Sequence, residues 1–308
     1  MRRLTAAALA EYGRLKFASL VKPFHPASSP FLSGDTFRSF CHVHIDDSTS
    51  FDDIPSKIRK LLRYQSHATL RLFVDLHILQ DQTSEDFIIR ELSVLSIEVR
   101  RKTLLLFHNH DKLPSFGFFT RLASLGYRSY SVNIVNRSDY VHPLPIGLEN
   151  RWRLNNGRTR PFRKSQARKQ SSRAQLVFAA FTVGTNTQER AAARAACIAA
   201  GIPFNESRLT PRQHRRQLLN SCFVISPPGN GSDCHRTWEA IYLGCVPVVL
   251  RGSLAEEFIS RLPILAVNDW TEFLDTPKDE MLHQYEILRE RPCELALENT
   301  WKHHLSIF

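Results

Sequence analysis

Residues 223–250 read FVISPPGNGSDCHRTWEAIYLGCVPVVL, and the order of residue types in this stretch decides the fold. An apolar run ending at Ser226 meets Pro227-Pro228-Gly229-Asn230-Gly231, which continues neither a strand nor a helix. Ser232 or Asp233 is placed to cap a helix over His235–Leu243, and a second apolar run, Val246–Leu250, predicts another strand. Strand, turn, helix and strand in so short a span make a βαβ unit with parallel strands. Gly229 and Gly231, with Asn230 between them, let backbone approach a ligand closely. Free N–H groups and the positive end of a helix dipole point into such a turn. Arg236, in the first helical turn, adds a planar cationic fork suited to a diphosphate. Glu239, one turn later, is placed to accept hydrogen bonds from ribose hydroxyls. A plainer reading of the same residues stays open: a ligand-free turn with an Arg236–Glu239 ion pair at i, i+3. The stretch lacks G-x-x-x-x-G-K-[ST], which excludes a P-loop, and no G-x-G-x-x-G follows the first strand, which weakens a dinucleotide enzyme.

The same alternation extends outward in both directions. On the carboxyl side, Ser253–Arg261 predicts a helix, Ile264–Val267 a short strand, and the tail from Lys278 is helical in pattern. On the amino side, Gln175–Phe181 predicts a strand. Thr185-Asn186-Thr187 caps a helix through Arg190 toward Ala200, which Gly201-Ile202-Pro203 stops, and Pro211–Asn220 is a helix with proline in its first turn. Further back, Leu70–Leu79, Thr103–Phe107 and Tyr130–Val135 predict strands, with a helix over Ser84–Val99. Between the halves, residues 151–173 hold nine Lys and Arg and no acid, with little apolar periodicity. The chain therefore divides into a domain over 1–150, a basic linker over 151–174 and a domain over 175–308.

With 308 residues, 43% hydrophobic and 23% charged, the chain has material for two packed cores and is not a disordered chain. A formal charge of +11 suits an anionic partner: nucleic acid, an acidic membrane surface or a phosphorylated molecule. The basic linker could touch an anionic membrane or a phosphorylated glycan, or it could simply be solvated. Six scattered cysteines form no C-x-x-C pair, so neither a zinc site nor a disulfide scaffold is expected, and reduced thiols are. Asp46-Asp47 and Asp52-Asp53 sit among Ser and Thr and read as turn and cap residues rather than metal ligands. Charges interrupt the apolar run of residues 1–21, and no segment reaches a spanning length, so a soluble, cytoplasmic protein is expected, without signal peptide or transmembrane helix.

Residues 226–249, SPPGNGSDCHRTWEAIYLGCVPVV, resemble the donor-side signature of exostosin-like glycosyltransferases: a Pro-Gly turn, an Arg opening a helix, an acidic residue one turn on, then Gly-Cys-x-Pro-Val. Leu32–Arg38 (LSGDTFR), Leu144–Asn150 (LPIGLEN) and Phe181–Arg190 (FTVGTNTQER) look like further landmarks of the same family. The resemblance implies an α/β fold of GT-B type, two Rossmann-like domains facing across a cleft. The nucleotide-sugar donor, a UDP-sugar in the usual case, would lie on the second domain and a glycan acceptor on the first, with no metal and no separate cofactor. The leaving diphosphate would then meet the Gly229–Gly231 backbone and Arg236, helped by Asn186 and Arg190. Glu239 would hold the ribose, and Ser226 and Thr237 would add hydrogen bonds. Asp35 and His108 are the candidates for a base, Arg38 and Asp111 could also face the cleft, and Glu149 and Asn150 could shape it. Two rival classes remain: a basic nucleic-acid-binding α/β protein, against which the linker's few aromatics speak, so that no nucleic-acid partner is expected, and a non-catalytic scaffold of the same fold.

Overall fold

The computed structural model describes residues 25–153, 156–165, 173–205 and 209–307. Its first sheet holds five parallel strands in sequential order: Val43–Ile45 (β1), Leu70–Asp75 (β2), Thr103–His108 (β3), Arg128–Ser131 (β4) and His142–Pro143 (β5). Near-continuous apolar runs such as TLLLFH need cover on both faces. On one face, Phe107 packs edge-on against Phe118 and Phe119 of the crossover helix Phe116–Ser124. On the other, the side chains of His108 and Tyr130 meet helix Gly34–Ser39 (α1) and a helix from the far end of the chain, Glu298–His304: Phe37 lies 5.6 Å from Trp301, and Trp301 lies 6.4 Å from Tyr130. The predicted helix over Ser84–Val99 is two helices, Gln82–Ser93 and Ile97–Arg101. Asp81 and Ser84 form a capping box at the first, and Ser96 caps the second.

The second sheet contains Gln175–Phe178 (β6), Ser221–Ile225 (β7), Val246–Leu250 (β8) and Leu265–Val267 (β9), all parallel. The four strands run in sequential order, and an isolated parallel bridge joins Ala179, just past β6, to Phe204. Helix Thr187–Ala199 (here called α7, after α2 Ile54–Arg59, α3 Gln82–Ser93, α4 Ile97–Arg101, α5 Phe116–Ser124 and α6 Arg160–Ser165) leaves β6. Pro211–Asn220 (α8) precedes β7, and His235–Leu243 (α9) joins β7 to β8. The αL conformation of Gly244, φ 71°, ends α9.

The basic stretch is not wholly a solvated loop. Within it α6 buries Phe162 against Phe31 and Tyr242. Arg173 donates to the carbonyls of Leu218, Leu219, Ser221 and Leu243, at or just beyond the carboxyl ends of α8 and α9, where helix dipoles favour a cation. Among the described residues, no helix is long and apolar enough to cross a membrane.

Directional bonds join the halves. The buried Asp233 carboxylate accepts from the Ile146 amide at 2.9 Å and from Trp238 Nε1, while its own amide donates to Asn133 Oδ1 at 3.0 Å. Tyr242 Oη accepts from the Leu32 amide and donates to the Ala296 carbonyl. Burial pushes the Asp233 carboxyl up to about 6, against the lowering effect of its hydrogen bonds. Folded protein therefore binds this proton more tightly than the unfolded chain. The contribution is complete below the unfolded value near 3.8 and is lost as pH rises through about 6. Asp233 should add about 1 kcal/mol of stability between pH 7 and pH 5. Denaturant unfolding across that range should show the gain in the wild type, and Asp233→Asn should lack that part of the pH slope whatever its absolute stability.

Candidate functional site

Just past the carboxyl end of β6 lies a cleft of about 320 Å³, lined mainly by the second half. Phe181 and Thr182 leave β6 into it, and α7 contributes Arg190. His214 comes from α8, His235, Arg236 and Glu239 from α9, and Glu149 from the first half. The sequence folds to this arrangement because Asn186 caps α7 (its Oδ1 accepts from the Glu189 amide) and turns Arg190 toward β7. Residues 235, 236 and 239 fall on adjoining positions of the first turns of α9.

Arg190 is 7% exposed and is tied to protein, donating to the carbonyls of Pro228 and Thr182 at 2.9 Å each. Arg236 is not. Its Nε and Nη1 are closed to solvent and have no hydrogen-bond partner, and its guanidinium lies 5.7 Å from the Phe181 ring, which Arg190 approaches to 6.0 Å. Burial, then the neighbouring Arg236 charge, lowers the basicity of Arg190. Two guanidinium groups around one ring, one of them lacking partners, form a region that an anion would relieve.

The remaining cleft groups titrate away from their ordinary values. Burial, reinforced by Arg236 and Arg215, pushes His214 down to about 3, so it is neutral, with Nε2 3.6 Å from Glu239 Oε2. Burial raises the Glu239 carboxyl against the pull of Arg215, His235 and Arg236. His235 donates from Nδ1 to the Gly147 carbonyl at 2.8 Å and holds Nε2 3.6 Å from Glu149 Oε1.

The expected site residues are divided. Arg190, Arg236 and Glu239 share the cleft. Gly229, Asn230, Gly231 and Asn186 line a neighbouring hollow of about 350 Å³ with Arg251. Neither glycine has positive φ, and at both the space a side chain would take is occupied by protein. A Cβ on Gly231 would fall 2.6 Å from Asn133 Oδ1, and one on Gly229 2.9 Å from Arg190 Nη2. Asn186 Nδ2 donates to the Gly229 carbonyl. Ser226 and Thr237 are buried and bond to each other at 3.0 Å, so neither reaches the rim. Neither Ser232 nor Asp233 caps α9. Cys234 occupies that position without a side-chain bond, because Asp233 is turned inward to Trp238 and Ile146.

Neither candidate base faces the cleft. His108 ends the central strand β3 on the face that α1 covers. Its Nδ1 accepts from the Asn109 amide, its Nε2 donates to the Pro145 carbonyl, and burial pushes it down to about 3. Asp35, in the first turn of α1, is fully buried on His25 at 2.8 Å. Arg38 pairs with Asp46, and Asn150 bonds the Asp35 amide and Asn109. No motif in the sequence singles out His214, His235 or Arg215, since their meeting depends on how α8, α9 and the first half come together. Among the described residues, no group of three or more His, Cys, Asp or Glu is placed to hold a metal ion. No protein-family model matches the chain, and no curated protein matches it.

Removing a half-buried charge whose enclosed nitrogens lack partners does not cost what removing a bonded one does. Arg236→Met should leave the ligand-free thermal midpoint unchanged or raised, whereas Arg190→Met, which strands the Pro228 and Thr182 carbonyls, should lower stability by roughly 1–3 kcal/mol in denaturant unfolding.

Proposed function

We propose that this chain is a glycosyltransferase of the exostosin-like kind, with its two α/β halves in a GT-B arrangement, transferring sugar from a nucleoside-diphosphate donor to a glycan or glycoconjugate acceptor. One observation carries the reading: the guanidinium of Arg236, whose buried Nε and Nη1 lack partners, stands with Arg190 about the Phe181 ring just past the carboxyl end of β6, in the cleft that Glu239 also lines. A diphosphate supplies the acceptor oxygens that this group lacks. The cost of holding two cations together before the ligand arrives becomes stabilisation of the charge that develops as the diphosphate leaves. Glu239, carried on the same helix, would accept from the ribose hydroxyls.

The nucleic-acid reading loses support because Arg151, Arg163 and Arg173 of the basic stretch bond to backbone carbonyls. The exposed Arg158 and Arg160 leave room in the proposal for a peripheral contact with an anionic membrane or a phosphorylated glycan. Calorimetry with UDP and GDP tests the reading. One nucleotide should bind the wild type, with affinity reduced at least about tenfold in Arg236→Ala and in Glu239→Ala. Absence of binding by either nucleotide to the folded wild type would overturn it.

A further inference from the structure

We propose that His235 is the general base of this site, taking the proton of the acceptor hydroxyl on Nε2, and that Glu149 of the first half positions and supports it; the inference rests on the transferase reading above. A carbonyl oxygen only accepts, so the 2.8 Å contact of Nδ1 with the Gly147 carbonyl puts the proton of the neutral ring on Nδ1 and leaves the lone pair on Nε2. That nitrogen lies 3.6 Å from Glu149 Oε1, both side chains are about one-third exposed, and both line the cleft that holds Arg236. The tautomer is thus set by one half's backbone, and the imidazolium formed on proton uptake meets a carboxylate of the same half.

The other titratable groups of the cleft are less suited. His214 is neutral but too weakly basic, and Glu239 lies among Arg215, Arg236 and His235. His108 and Asp35 are enclosed elsewhere. The groups acting on His235 come from every side. Glu149 and the Gly147 carbonyl belong to the first half, Glu239 to its own helix (which also carries Arg236), Asp233 to the preceding turn, and His108 to β3. Burial pulls its basicity down, but Glu149, the Gly147 carbonyl, Glu239 and Asp233 together outweigh burial and hold it above the ordinary histidine value.

The step balances without a further reactant. The acceptor O–H proton passes to Nε2 as the oxygen forms its bond to the anomeric carbon. The bond from that carbon to the diphosphate oxygen breaks, and its electron pair leaves on the diphosphate beside Arg236. The imidazolium then returns the proton to solvent. A direct displacement of this kind inverts the anomeric centre.

Three measurements on the intact protein test the assignment. Nitrogen-15 NMR of the imidazoles in the ligand-free protein should find neutral His235 protonated on Nδ1, with a pKa that falls by about one unit in Glu149→Gln. Calorimetry should find that His235→Asn keeps the wild-type affinity for UDP or GDP within about threefold. Release of nucleoside diphosphate from UDP- and GDP-sugars, to water or to added glycans, should drop ~10²–10⁴-fold in His235→Asn. In Glu149→Gln the acid limb of that rate should move to lower pH with a reduced plateau, which loss of fold would not produce. A proton on Nε2, a His235 titration unmoved by Glu149→Gln, or turnover in His235→Asn equal to wild type would each overturn the assignment. Wild-type protein that binds neither nucleotide would instead overturn the transferase reading, whatever the tautomer.

Discussion

The arrangement of the two halves depends on the buried carboxylate of Asp233. An ionised or partly satisfied carboxyl is costly inside a protein, so the chain has to settle where its lone pairs find donors. Those donors are Trp238 Nε1 within the second half and the Ile146 amide in the first, and the Asp233 amide reaches Asn133 in return. Apolar packing beside it continues through Trp238, Phe258, Trp301 and Phe37, and supplies area without direction. The hydrogen bonds supply the register. Because Asp233 precedes α9 by so little, fixing it also fixes where His235 meets Gly147 and Glu149.

Electrostatics in the cleft follow from that register. Arg190 is held by carbonyls and Phe181, and Arg236 is held beside it by the helix that Asp233 anchors. Arg190 cannot move away without giving up its bonds to the Pro228 and Thr182 carbonyls. The amino-terminal end of α9 adds its partial positive charge in the same place. The acidic side of the cleft, Glu239 and Glu149, keeps the region from being uniformly positive and divides it into an anion-attracting part and a proton-accepting part.

Much of the second half was legible in the sequence, and the reasons are local. Pro211–Asn220 has proline in its first turn and a Thr210–Gln213 capping box, and His235–Leu243 stops at a glycine in αL. Such signals act within a few residues and need no tertiary context. In the first half, β1 spans three residues and β5 two, too short to show a period, and the helix Phe116–Ser124 lies in a run so rich in Phe that helix and strand are hard to tell apart. For the site, Arg236, Glu239 and Arg190 were legible because a turn and a cap mark them. The glycines were legible as positions that exclude a side chain, but not what fills the space: Asn133 lies far away in sequence. His108 illustrates the opposite limit. A histidine at a strand's carboxyl end has the sequence pattern of a site residue, and only the cover laid over it by α1 shows that it is enclosed.

The helix Glu298–His304 crosses back to cover the face of the first sheet on which Tyr130 lies, with Trp301 against Phe37 and the Leu305 carbonyl accepting from Arg71. During synthesis the five strands of that sheet leave the ribosome well before the residues that complete their cover. Until those residues emerge, the nascent chain carries a parallel sheet with one apolar face partly open, a condition that invites chaperone binding or contact between neighbouring nascent chains on a polysome. The first sheet is thus made before the helix that completes its cover.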